Sequence, residues 1–183
     1  MFLRINSFLP INNSHQAFSI FGYLTNGVPG VEIRGLQKAN NIIREKIIYY
    51  TKMHQVKVPL KRYHLCIDFP NELSNMKKDM LDESLLELPI LLLYWNLCQA
   101  MDFHELDNCF SLGKISSNGK IDIPEIDDKY IKNIAKSFYK KNSRKIIFIN
   151  NINKKRPAET NSSYFTIAID DLLRPVFKKS ASV

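Results

Sequence analysis

The stretch Leu24-Thr25-Asn26-Gly27-Val28-Pro29-Gly30-Val31-Glu32-Ile33-Arg34-Gly35-Leu36 carries three glycines and a proline within nine residues. Because glycine adopts positive φ without strain and proline fixes its own φ, such a run specifies backbone geometry rather than chemistry. It predicts a strand end, turns at Asn26-Gly27 and Pro29-Gly30, a strand over residues 31–34 and a helix opened by Gly35. We expect the turns to be set by Gly27, Pro29, Gly30 and Gly35. Of these residues, Gly27 and Gly30 are expected at positive φ.

The rest of the chain alternates between helical and strand-like spacing of apolar residues. Strands are predicted over residues 17–24, 62–69, 145–149 and 164–167, with a hairpin of residues 110–116 and 120–123 around Ser117-Asn118-Gly119. Helices are predicted over residues 36–54, 85–101, 127–141 and 170–177. This order predicts an α+β fold with a mixed sheet covered by helices. The 183 residues suit a single domain whose core covers about residues 15–177.

The helix predicted over residues 85–101 is apolar nearly all round, which is typical of a central buried helix. Ser84 and Glu87 have the spacing of a capping box at its start. Pro89 indicates that the first turn begins a little later than residue 85, because a proline is tolerated only in the first turn.

The composition favours a reduced, cytoplasmic compartment. The three cysteines, Cys66, Cys98 and Cys109, are odd in number and lack CxxC spacing. The longest apolar run, residues 88–95, is too short to span a bilayer, and residues 1–10 lack the apolar core of a secretory signal. We therefore expect no membrane partner.

The net charge of +8 is unevenly distributed along the chain. Residues 1–126 carry 13 basic and 13 acidic side chains, whereas residues 127–183 carry 13 basic and 5 acidic ones. A one-sided basic surface is typical of proteins that contact a phosphate backbone. The alternative is a lysine-rich solvated surface encoded by an AT-rich genome. The residues predicted to bind nucleic acid or a partner are Lys140, Lys141, Arg144, Lys145, Lys154, Lys155 and Arg156.

Four blocks of sequence, in order, resemble the N-terminal domain of magnesium-chelatase-related AAA+ proteins of the ComM/YifB type. Residues 24–36 resemble the "SNGLPGF-x-I-x-GLP" pattern of that family, and residues 44–47 stand where it has RERV. Residues 88–91 match "LPIAL", and residues 110–121 match "FLGELSLDGRL". The glycine-serine loop before "FDLPI" is replaced here by residues 82–87, which contain no glycine.

The resemblance implies a Lon-protease-like fold, also described as the ribosomal protein S-five domain-2-like fold. It implies an accessory or interaction domain that acts in DNA branch migration and natural transformation. The implied partners are DNA, a separate AAA+ ATPase or, by self-association, further copies of the chain. The chain ends at Val183, about where the AAA+ module of the family begins, and lacks a G-x-x-x-x-G-K-[S/T] phosphate loop. We expect no ATP hydrolysis and no cofactor. A remnant of a full-length ATPase is an alternative interpretation.

A second alternative is a diverged serine–lysine peptidase, since Lon-type peptidases use that dyad. Ser84 lies in the corresponding region, and Lys132, together with Lys129 and Lys136, lies on the corresponding helix. The Lon "GPSAG" surroundings are absent, and the chelatase-like relatives lack the dyad. We expect Ser84 to act as a helix cap rather than as a nucleophile.

Other polar residues have simple structural interpretations. Four acidic residues follow the predicted hairpin, and the start of a helix accounts for them without a metal ion. We expect His64 to be solvent-facing or to have polar partners, and Arg34 to be exposed on its strand. The acidic residues are Asp122, Glu125, Asp127 and Asp128.

Overall fold

The computed structural model of this chain describes residues 1–11, 14–36, 38–70, 81–104, 106–142, 144–150 and 164–181. Its helices are α1 (Asn40–Met53), α2 (Glu87–Leu97), α3 (Asp128–Asn142) and α4 (Ile169–Ala181), with short 3₁₀ helices at Glu83–Leu86 and Leu106–Asn108. Its strands are β1 (Phe2–Ile11), β2 (Ser14–Thr25), β3 (Gly30–Arg34), β4 (Arg62–Asp68), β5 (Cys109–Phe110), β6 (Lys114–Ile115), β7 (Ile121–Asp122), β8 (Ile146–Asn150) and β9 (Tyr164–Ala168).

Seven strands form one mixed sheet in the order β3-β4-β2-β1-β5-β8-β9. Strand β2 runs antiparallel to both of its neighbours, and every other neighbouring pair is parallel. Parallel neighbours require crossover connections, which α1 provides between β3 and β4 and α3 provides between β5 and β8. The chain is therefore α+β with a mixed sheet flanked by helices, as its sequence predicts.

Strand β1 is absent from the sequence-based prediction. It pairs with β2 over its whole length, from Phe2↔Tyr23 to Ile11↔Ser14. Its Ile5, Phe8 and Leu9 are fully buried, so the predicted core boundary at about residue 15 is wrong. Polar residues interrupt the apolar alternation of this strand, and other parts of the chain satisfy them, as where Asn6 Nδ2 donates to Asp107 O at 2.8 Å.

Of the two glycines predicted to have positive φ, Gly27 has it and Gly30 does not. Gly27 and Gly35 have positive φ angles of 136° and 98°. Gly30 is not among the glycines with positive φ; it begins β3 as an extended residue, its N–H donating to Lys61 O at 3.1 Å. Pro29 directly precedes β3. The prediction that Gly30 needs positive φ is therefore wrong, because pairing of β3 with β4 keeps that residue extended.

The prediction that helix α1 opens at Gly35 is wrong, because the helix begins at Asn40. The N–H groups of Lys38 and Ala39 donate to Glu83 Oε2, at 3.2 and 3.0 Å. Unpaired N–H groups at a helix start need an acceptor, and here a carboxylate from a distant 3₁₀ helix provides it. The helix start is thus determined by a tertiary contact.

Helix α2 is buried along its whole length, which confirms the prediction of a central buried helix. It packs against α1 and against β1, β2 and β4 on one face of the sheet. The predicted capping box is wrong. Among the residues that the structure describes, no side chain caps α2; the Ser84 hydroxyl donates to the Asp82 carboxylate, and Glu87 accepts hydrogen bonds from Lys46 and Ile115.

The predicted strand over residues 110–116 is divided in two. Cys109 and Phe110 belong to the main sheet, while β6 and β7 form the predicted hairpin as a separate two-stranded sheet. Between them Gly113 donates to Leu85 O at 2.8 Å and accepts from Leu88 N at 3.0 Å. The chain therefore leaves the sheet at this point because its backbone binds the start of α2.

Candidate nucleic-acid interface

Helix α3 presents a row of lysines to solvent. Lys129, Lys132 and Lys136 are spaced by three and then four residues, so they share one side of the helix, and all three are exposed. We call these three residues the lysine side of α3. They span about 10 Å of the helix axis, which is close to the length that about three successive phosphates occupy along one strand of B-DNA. The opposite side of the helix is apolar and packs on the core through Ile131, Ile134, Ala135 and Phe138.

The start of α3 has the local chemistry expected of a helix N-terminus. The Asp127 carboxylate accepts a hydrogen bond from Lys129 N at 2.9 Å, and Asp127 O accepts from Tyr130 N and Ile131 N. The structure thus confirms the prediction that Asp127 opens this helix. Among the described residues, no group of three or more His, Cys, Asp or Glu side chains is arranged to hold a metal ion.

Arg144 and Lys145 are exposed just before β8, and each has a neighbour within the fold. Arg144 Nη1 lies 3.4 Å from Asp107 Oδ2, and Lys145 Nζ lies 5.0 Å from the ring centroid of Phe165. Exposed pairs of this kind contribute little stability, so both cations remain available to a phosphate.

The other predicted binding residues are only partly described. Lys140 and Lys141 lie within α3, and Lys140 follows Lys136 at the same helical spacing. Lys154, Lys155 and Arg156 lie outside the described residues.

The sheet face on the α3 side carries aromatic and basic residues on β1 to β4. Cross-strand pairing aligns Phe2 with Tyr23 and Arg4 with Phe21, and Tyr23 in turn pairs with His64. Side chains in directly opposite positions project from the same face of a sheet. Helix α3 packs on this face over β1 and β5, through Tyr130 against Phe8 and Phe138 against Phe110.

Glu32 is the centre of a polar network on this face. Its carboxylate accepts hydrogen bonds from Arg34, at 2.8 and 2.6 Å, and from Arg62 at 3.3 Å. The hydrogen bond from Arg34 in particular holds the pKa of Glu32 below its usual value. Arg34 is exposed, as predicted, but its guanidinium is bound to this carboxylate.

His64 is not solvent-facing, since it is 7% exposed. Its Nε2 lies 2.9 Å from the Thr25 hydroxyl, its Nδ1 lies 3.1 Å from Glu32 Oε2, and its ring stacks on Tyr23. The expectation that this histidine has polar partners is therefore the one that the structure supports.

The two catalytic candidates have surroundings unlike those of a serine–lysine dyad. The Ser84 hydroxyl donates to Asp82, and Lys114 Nζ lies 2.6 Å from the other oxygen of that carboxylate. Although burial opposes it, hydrogen bonds from Lys114 and Ser84 hold the pKa of Asp82 below its usual value. A lysine that acts as a general base is shielded from water, whereas Lys132 is exposed on α3.

A comparison with models of known protein families finds no match to this chain. A search of curated proteins finds no relative either. None of the helices in the described ranges combines the length and the hydropathy that crossing a membrane requires.

Sequence reasoning named Lys129, Lys132 and Lys136 only as catalytic candidates and overlooked them as a binding surface. Their spacing on a predicted amphipathic helix was the signal that could have identified it. The aromatic and arginine residues of β1 were also overlooked, because β1 itself was not predicted.

Proposed function

We propose that this chain is a non-enzymatic accessory domain with a Lon-protease-like fold, related to the N-terminal module of ComM/YifB-type AAA+ proteins. In this proposal it contacts DNA, or a separate AAA+ ring, through its basic C-terminal third. The four blocks of sequence support the relationship. They fall at the β2–β3 connection, in α1, at the start of α2, and from β5 to the β6–β7 hairpin.

The lysine side of α3 is the observation that carries the DNA-binding part. Lys129 and Lys136 have no ion-pair partner among the residues that the structure describes. Cations in a row along one helix can each neutralise a phosphate, and each such contact releases a counterion. Arg144 and Lys145 follow the end of the same helix and extend the basic surface.

The lysine side is tested by replacing Lys129, Lys132 and Lys136 together by alanine. We expect weaker binding to a fluorescein-labelled duplex of about 20 base pairs, similar for all sequences, and a log–log salt slope that is flatter by up to about three units. Fluorescence anisotropy over a salt series measures both quantities.

A matched control removes three exposed lysines outside the C-terminal third, Lys52, Lys57 and Lys61. An equal loss in the control would show that only net charge matters and would contradict an interface on α3. A second triple variant, Lys154, Lys155 and Arg156 to alanine, tests the remaining predicted residues. No affinity for DNA at low salt would overturn the DNA-binding part, and co-purification with an AAA+ ATPase would then test the ring.

The non-enzymatic part predicts that the purified protein hydrolyses neither ATP nor peptides. The chain has no phosphate loop, and the Ser84 hydroxyl is engaged by a carboxylate. We expect a fluorophosphonate probe to leave Ser84 unlabelled, as judged by mass spectrometry against a Ser84→Ala variant. Labelling that disappears in this variant would support the peptidase alternative.

A further inference from the structure

The start of β1 and the neighbouring strands β2, β4 and β3 expose side chains on the face that α3 covers farther along β1 and over β5. On this face Phe2, Arg4, Arg34 and Arg62 are exposed, and Phe21 and Tyr23 are half-buried. We call these six residues the aromatic–arginine face. The other face of the same strands is buried under α1 and α2.

The rings of this face form two stacked pairs. Phe2, which is 64% exposed, stacks on Phe21 with ring centroids 5.7 Å apart. Tyr23 stacks on His64 at 4.8 Å, with their ring planes only 15° apart. One side of the Phe2 ring stacks on Phe21 and the ring is otherwise exposed, so it offers a surface on which an unstacked base can stack.

The charges of this face favour a polyanion. Arg4 has no ion-pair partner among the described residues and lies beside Phe21 in the strand register. The Glu32 carboxylate is already bound by Arg34 and Arg62, so it presents little free negative charge. Asp68 is the other acidic residue of these strands on this face and pairs with Ser19, two positions along β2 from Phe21. Helix α3 and its lysine side lie on the same side of the sheet.

We infer that the aromatic–arginine face binds single-stranded nucleic acid, with bases stacked on Phe2, Phe21 and Tyr23 and phosphates bound by Arg4. Stacking on aromatic side chains combined with basic groups beside them is the general mode of sequence-tolerant single-strand binding. This inference does not rest on the proposed function, because it depends on rings of the sheet rather than on the lysines of α3.

The test uses fluorescein-labelled oligothymidine and oligouridine of about 12 nucleotides, a length within the usual site size of such surfaces. We expect Phe2→Ala and Phe21→Ala each to raise the dissociation constant by about tenfold, with duplex binding little changed. Phe2→Leu keeps the apolar volume but removes the ring, so we expect it to bind as weakly as Phe2→Ala. Thermal unfolding of each variant shows that the fold is retained.

Tyr49→Ala is the matched control, since Tyr49 is 55% exposed on α1, which covers the other face of the sheet. We expect its affinity to equal that of the unmodified protein. Any of three results would overturn the inference: full affinity in Phe2→Leu, a loss in Tyr49→Ala equal to that in Phe2→Ala, or no single-strand binding at low salt. After the last result, a protein partner would account for the face. Single-strand binding that survives the triple lysine variant while duplex binding is lost would separate this site from the one on α3.

Discussion

Replacing Gly35 by alanine is expected to lower the free energy of unfolding by about 3–5 kcal/mol, the largest effect that we predict for a single substitution. Gly35 has a φ of 98°, a conformation that strains any residue with a side chain. A Cβ atom there would also lie 2.4 Å from Ile67 O, a backbone atom of β4 that the sheet holds in place. Thermal unfolding should show a melting temperature lower by roughly 10 °C.

Gly30→Ala is the matched control for this prediction. Gly30 lies at the start of β3, outside the positive-φ region, and a Cβ atom there meets no heavy atom within 4 Å. We expect a change of less than about 0.5 kcal/mol, and Gly30→Val should be tolerated too, because valine suits an extended strand. Equal melting temperatures for Gly35→Ala and the unmodified protein would contradict the geometric role assigned to Gly35.

Replacing Glu87 by alanine is expected to lower the free energy of unfolding by about 2–4 kcal/mol. Glu87 is fully buried at the start of α2. One of its oxygens accepts from Lys46 Nζ at 2.8 Å and the other from Ile115 N at 2.6 Å, so one carboxylate joins α1, α2 and β6. Its removal leaves a buried N–H group without an acceptor and an ammonium without its counter-charge. Lys46 is 39% exposed and can recruit water, which keeps the loss below that of a fully buried pair.

Two further variants separate the contributions of Glu87. Glu87→Gln retains an acceptor for Ile115 N but removes the charge, so we expect about half of the loss seen with alanine. Glu45→Ala removes a carboxylate from an exposed pair with Arg44 on α1, and we expect less than about 0.5 kcal/mol. Urea denaturation measures all three, and a Glu87→Ala protein as stable as Glu45→Ala would contradict a structural role for the buried carboxylate.

Sequence reasoning succeeded where a structure depends on residues close together in the chain. The apolar spacing of α3 and the Ser117-Asn118-Gly119 turn of the β6–β7 hairpin appear where they were predicted. It failed at Ser84 and Glu87, which have the spacing of a capping box. A neighbouring carboxylate and a distant lysine compete successfully for these two side chains.

By itself, the sequence determined the α+β class, the buried character of α2 and the row of lysines on α3. Each of these depends on a periodicity that is complete within one element. Only the tertiary structure decided that β1 belongs to the sheet, that Glu83 caps α1 and that Glu87 binds Lys46. The hydrogen bonds concerned join Asn6 to Asp107, Ala39 to Glu83 and Lys46 to Glu87. The paired residues lie 101, 44 and 41 positions apart in the sequence. A buried polar group takes whichever partner the fold brings within hydrogen-bond distance, and no local pattern specifies which residue that is.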